Sequence, residues 1–157
     1  MKTLNISKKT VLDAYRTEEL REKQLLEKLF GAEIFSEKVT DRIKTLQDAI
    51  EETGRPEVPA FSDVPEDLRP YFQEQYKAIV VTEALNEGWE ADYNDGNQKK
   101  WMPWLKASLS GFAFGDTYCV RSDPAAGRAA RLCLKSDELA AYVGKQFTDI
   151  HAGIITK

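Results

Sequence analysis

Over the first third of the chain, apolar residues recur at helical spacing. Ser7 is placed to cap a helix whose one face carries Val11, Leu12 and Tyr15. Thr17 can cap again, with Glu18 and Glu19 in the first turn, where the helix dipole favours acids. Leu25, Leu26, Leu29 and Phe30 then make an i, i+3, i+4 stripe that Gly31 is suited to end. The pattern over 8–30 fits either one helix or two bent at Arg16–Thr17. Val39, Ile43, Leu46 and Ile50 predict a third helix over Glu37–Glu52, stopped by Gly54. Residues 54–65 hold three of the six prolines and read as an extended connector. A long helix over 66–87 follows, with Leu68, Phe72, Tyr76, Ile79, Val80 and Leu85 apolar and Gly88 as its stop.

After Gly88 the period changes. The segment 90–98 is a polar turn, and WMPWLKA, GFAF, DTYCV and ARLCLK are short strand-like runs separated by turn formers. The connections are too short for parallel crossovers, so three or four antiparallel strands are expected, with Pro103 at an edge or a bulge. Ser136 caps a last helix that turns Leu139, Tyr142, Val143, Phe147 and Ile150 inward. The expectation is one α+β domain over 1–157. Its N-terminal helical layer (1–88) is followed by a small antiparallel β-meander closed by a C-terminal helix (89–157). Trp89, Trp101, Trp104, Phe112, Phe114, Leu132, Leu134, Tyr142 and Phe147 are expected to share its core.

Composition narrows the function classes. The chain has 157 residues, 42% hydrophobic and 31% charged, which fits a globular domain large enough to need no metal or disulfide staple. No apolar run reaches the ~20 residues of a membrane span. The opening MKTLNISKKT has no apolar h-region, so neither secretion nor a membrane partner is expected, and the two cysteines should be reduced in the cytoplasm. The net charge of −4 hides an asymmetry: residues 1–98 carry 13 Lys and Arg against 21 Asp and Glu, whereas residues 99–157 carry 9 against 5. An acidic body with a basic C-terminal unit can orient an anionic partner.

No phosphate loop, dinucleotide fingerprint, zinc-protease motif or nucleophile elbow is present. Counting an EF-hand loop from Asp92 puts Asn97 where glycine belongs and Pro103 where a bidentate glutamate belongs, so the 92–97 stretch reads as a turn. The single histidine, His151, is expected at the surface near the end of the last helix; Cys119 and Cys133 are expected as buried inert thiols. No catalytic residue, metal or cofactor is assigned. What remains is an aromatic cluster, Trp89, Tyr93, Trp101, Trp104, Phe112, Phe114 and Tyr118, interleaved with or followed by cations. Lys99, Lys100, Trp101, Trp104, Lys106, Arg121, Arg128 and Arg131 are the candidate binding residues: stacking aromatics beside cations suit single-stranded nucleic acid, and Trp, Tyr and Arg also suit a protein interface. The same aromatics can instead fill the meander's core.

The blocks K-T-V-L-x-A-Y (9–15), L-L-x-x-L-F-G (25–31), A-L-N-E-G-W-x-x-D (84–92), W-x-P-W (101–104) and R-L-C-L-K-S-x-E-L-A-x-Y-x-G-K-Q-F (131–147) resemble a family of small proteins found in gut Bacteroidetes genomes and their prophage-like regions. The chain departs from that pattern at Leu134, where an aromatic is expected. No activity or catalytic residue comes with the resemblance. It implies an accessory or virion-associated protein of a mobile element. Together these readings favour a non-enzymatic assembly module that binds a protein partner or itself, with a nucleic-acid-binding accessory protein as the alternative.

Overall fold

A computed structural model describes residues 6–35, 38–120 and 131–157. The N-terminal pattern resolves into two helices, α1 (Lys8–Thr17) and α2 (Leu20–Phe30). Ser7 accepts a hydrogen bond from the Thr10 amide at the start of α1, and Gly31 follows α2 with φ 91°. The expected helix over 37–52 is broken. A single turn, α3 (Val39–Arg42), is separated from α4 (Leu46–Thr53) by Ile43–Thr45. Thr45 and Asp48 form a capping box, each side chain taking the other's backbone amide, which starts a new helix at residue 46. The carbonyls freed at the break are not wasted: Tyr142 donates its hydroxyl to Ile43 O at 2.6 Å, and Gln146 donates to Lys44 O at 2.7 Å.

A 3-10 turn at Glu66–Leu68 leads into α5 (Arg69–Asn86), the central helix. Glu87 and Gly88 end it, both with positive φ. Two strands follow, β1 (Lys100–Ser108) and β2 (Gly111–Val120), paired antiparallel with a bulge between Trp104 and Leu105. GFAF and DTYCV are therefore one strand. The last strand-like run, ARLCLK, contributes only an antiparallel bridge, Leu134 with Trp101. The fold is α+β, but its sheet among the described residues is a hairpin where three or four strands were expected. Because Trp101 directs its N–H and C=O to Leu134, Pro103 two residues on turns its missing N–H toward the same open edge, where no ladder bond is lost.

The expected last helix is two, α6 (Asp137–Gln146) and α7 (Thr148–Thr156), kinked at the buried Phe147. α6 lies on the hairpin's inner face. Gly144 is required there, since a Cβ would overlap the Phe114 ring and sit 3.0 Å from Pro103 Cβ. The main core joins Val80, Val81, Ala84 and Leu85 of α5 to Ile43, Ile50, Leu134, Val143 and Phe147. A satellite core under α2 holds Val11, Leu12 and Phe35, with Tyr15 stacked on Phe35 at 4.2 Å. No helix among the described residues is long and apolar enough to cross a membrane.

Candidate functional site

The six candidate binding residues among the described ones do not form one face. Arg121 and Arg128 lie outside the described residues. Lys100 is fully buried, its ammonium donating to Gln98 O at 3.0 Å and Asp95 O at 3.3 Å and lying 5.4 Å from the Tyr93 ring centroid. It is a structural cation, covered by the polar turn segment 90–98. That segment is built from Asx turns, Asp92 accepting from the Asn94 amide and Asp95 from the Asn97 amide. Trp101 is half-buried against the main core. Trp104, expected in the core, is 56% exposed. The register explains this. Trp104 shares the outer hairpin face with Met102 and Tyr118, and the 90–98 cover reaches only the Lys100–Met102 end. Lys99, Lys106 and Arg131 are exposed.

Next to buried Lys100, Cys133 is 3% exposed and within hydrogen-bond distance of the Tyr93 hydroxyl, at 3.5 Å. Burial pushes the Cys133 thiol above its ordinary range, and Tyr93 and Lys100 only partly oppose it. The thiol is therefore neutral and a poor nucleophile. Cys119 is likewise free and half-buried. His151, expected at the surface, is buried on α7, and Nε2 has no hydrogen-bond partner among the described residues. Burial lowers its pKa to about 4.

Charge is concentrated where the N-terminal helices meet the C-terminal block. The Arg42 guanidinium donates to Glu87 Oε1 at 2.7 Å and to Glu52 Oε1 at 3.1 Å. Arg16 reaches both carboxylates, at 3.7 and 3.3 Å, and Lys135 donates to Glu87 Oε2 at 2.9 Å. Burial would raise the Glu87 carboxyl, but the hydrogen bonds from Lys135 and Arg42 outweigh it and hold it below the usual range. With three cations on two carboxylates, the network is a brace, and Glu87 in it is not a raised acid suited to proton transfer.

Among the described residues, α2 carries an apolar surface without a partner. None of its residues is buried. Its inner side holds on to α1 and the satellite core: Tyr15 donates to Glu27 at 2.6 Å, Lys23 sits over the Tyr15 ring, and Leu26 and Phe30 pack below. The helical period puts Arg21, Glu22, Leu25, Lys28 and Leu29 on the opposite side, all exposed, with Leu25 at 57% and Leu29 at 65%. The stripe Leu25, Leu26, Leu29, Phe30 is legible in the sequence, but which half of it lacks a cover is not. A second feature is a cleft along α5 with Thr82, 2% exposed, among its lining residues. A threonine inside a helical run gives no sequence signal of that kind. Compared with protein-family models, curated proteins and solved structures, the chain matches none.

Proposed function

We propose that the protein is an assembly module that associates with a second copy of itself through the outer face of α2. The carrying observation is that face: two leucines one turn apart, more than half exposed, on a helix with nothing buried. Charge complementarity favours a second copy as the occupant. If two α2 helices pair antiparallel about Leu25, Glu22 of each copy falls opposite Lys28 of the other, because both lie three residues from the centre. The helix is only about 16 Å long, so the contact belongs to the weak, concentration-dependent class of interfaces. The resemblance to proteins of prophage-like regions supplies a mobile-element setting for such a module. Sedimentation of the full chain tests it: Leu25→Asp should abolish concentration-dependent association and leave thermal stability unchanged. An unaltered sedimentation profile in that variant would remove α2 as the interface.

A nucleic-acid-binding accessory function is favoured by a different observation. Trp104 and Tyr118, 56% and 54% exposed, are diagonal neighbours on the outer hairpin face, with Lys106 nearby in sequence. Such a pair can stack bases. Lys99, Lys106 and Arg131 as phosphate contacts would give a log–log salt slope of about −2 on a single strand. Binding that is indifferent to salt, or to Trp104→Ala, counts against this reading.

A further inference from the structure

The connector 54–65 and the entry to α5 form a second apolar surface. Leu68, Tyr71 and Phe72 stand at i, i+3 and i+4 on one side of that entry and are 45%, 36% and 38% exposed. The half-buried Phe61 ring extends them: its centroid is 5.9 Å from that of Phe72, which Tyr71 meets edge-on at 5.4 Å. Phe61 has φ 53°, a left-handed conformation that a bulky side chain adopts only with strain. Side chains of α5 tie the connector down. Arg69 donates to Val64 O at 2.8 Å and to Ser62 O at 3.1 Å, and Tyr76 donates to Pro56 O at 2.7 Å. The rings are thus presented on a tethered backbone, which lowers the ordering cost of a contact made on them.

Charge identifies the kind of partner. Residues 56–68 contain Glu57, Asp63, Glu66 and Asp67 and no lysine or arginine. All four acids are exposed, and none belongs to an ion pair among the described residues. Asp63 sits inside the turn that the Val64 amide closes on Phe61 O, and Glu66 and Asp67 are on the single turn that ends at Leu68. Three of the carboxylates are therefore carried by backbone adjoining the apolar residues. The flanking cations are engaged: Arg55 pairs with Glu83 at 2.9 Å, and Arg69 donates to the two connector carbonyls. Carboxylates at this density repel phosphate, which disfavours nucleic acid and anionic lipid. They attract lysine and arginine, whose charges also lie favourably over exposed Tyr and Phe rings. These eight residues are far fewer than the roughly 20–30 a side of a stable interface between folded proteins, so the surface is scaled to a short segment.

We propose that this surface docks a short basic segment of a partner protein. An apolar side chain of the segment rests on Phe61, Leu68, Tyr71 and Phe72, and its lysines or arginines face the four carboxylates. The contact is separate from self-association, since no residue of α2 takes part.

The test is fluorescence anisotropy, with the full chain titrated into labelled peptides. One peptide combines lysines and arginines with Leu and Trp anchors, a second replaces every cation by Glu, and a third replaces the anchors by Ser; a labelled single-stranded oligonucleotide is the fourth probe. The anchored basic peptide should bind with a Kd of roughly 10–100 µM, and the other three probes at least about tenfold more weakly. The amide variant Glu57→Gln/Asp63→Asn/Glu66→Gln/Asp67→Asn should lose about tenfold in affinity and keep its Tm, since the exposed carboxylates hold no ion pair. Tyr71→Ala should lose a similar factor, and Leu68→Ser, at a more exposed position, provides a second apolar variant should Tyr71→Ala fold poorly. Leu25→Asp should bind the peptide like the parent, which separates this surface from the α2 face. The proposal is overturned if the anchored basic peptide does not bind at ~1 mM, if any other probe binds as well, or if the amide variant or the folded apolar variants keep their affinity.

Discussion

Replacing Arg42 by Met should be among the most destabilising single changes in the protein. Arg42 and Glu52 have side chains only 5% and 4% exposed, so their 3.1 Å contact is a buried ion pair and not a surface one. Removing one partner of such a pair leaves the other charge buried and uncompensated, at a cost of about 3–5 kcal/mol. Two features of the brace place the cost at the lower end. Arg16 remains 3.3 Å from Glu52, and Glu87, 27% exposed, keeps Lys135 at 2.9 Å. Arg42→Met should therefore cost about 3 kcal/mol, which for a chain of this size lowers Tm by about 6–12 °C. Pairing it with Glu52→Leu removes both charges, and the double variant should recover most of the loss. Urea denaturation followed by circular dichroism, run as a double-mutant cycle, measures both quantities. A cost below about 1 kcal/mol for Arg42→Met, or no recovery in the double variant, would refute the brace as a buried network.

Two further outcomes follow from the packing. His151 has its pKa lowered to about 4 from 6.5, so the unfolded chain takes up a proton that the fold resists. Its contribution is complete above pH 6.5 and is lost as pH falls toward 4, about 3 kcal/mol in all. Stability measured from pH 7 to 4 should decline through that window and flatten in His151→Gln; equal slopes in the two proteins would show that other groups govern it. Gly144→Ala gains about 1 kcal/mol of helix propensity but places a Cβ inside the Phe114 ring, which costs about 1–3 kcal/mol in strain. The net effect should be a lower denaturation midpoint, and a raised one would mean that α6 and the hairpin are not in contact.

Much of this architecture is legible in the residue pattern, for reasons that also explain the failures. Leu85, Val143 and Phe147 follow the helical period and are buried on it. The sequence T-L-Q-D at 45–48 carries the signal for the break between α3 and α4, and the apolar spacing from Val39 to Ile50 obscures it because Val39, Ile43 and Ile50 all enter the same core. His151 lies four residues after Phe147, on the inward face, so its burial follows from the same period that buries Phe147. Lys100 and Trp104 are harder. They share one hairpin face, and their opposite fates depend on how far the 90–98 segment extends over it, a tertiary fact with no local pattern. The Lys100 ammonium is made tolerable by two carbonyls of that segment, which composition alone cannot place. Lys100 leaves the candidate basic set for that reason, and the α2 face was visible only as half of an otherwise ordinary stripe.

The most direct test of self-association through α2 is a charge swap read by sedimentation velocity over roughly 10 µM to 1 mM. The parent should show association that grows with concentration. Glu22→Lys alone and Lys28→Glu alone each put like charges opposite one another in the antiparallel pair and should sediment as monomers. The double variant Glu22→Lys/Lys28→Glu restores opposite charges in reversed order and should associate like the parent. A parent that stays monomeric throughout, or a double variant no better than either single change, would contradict the account.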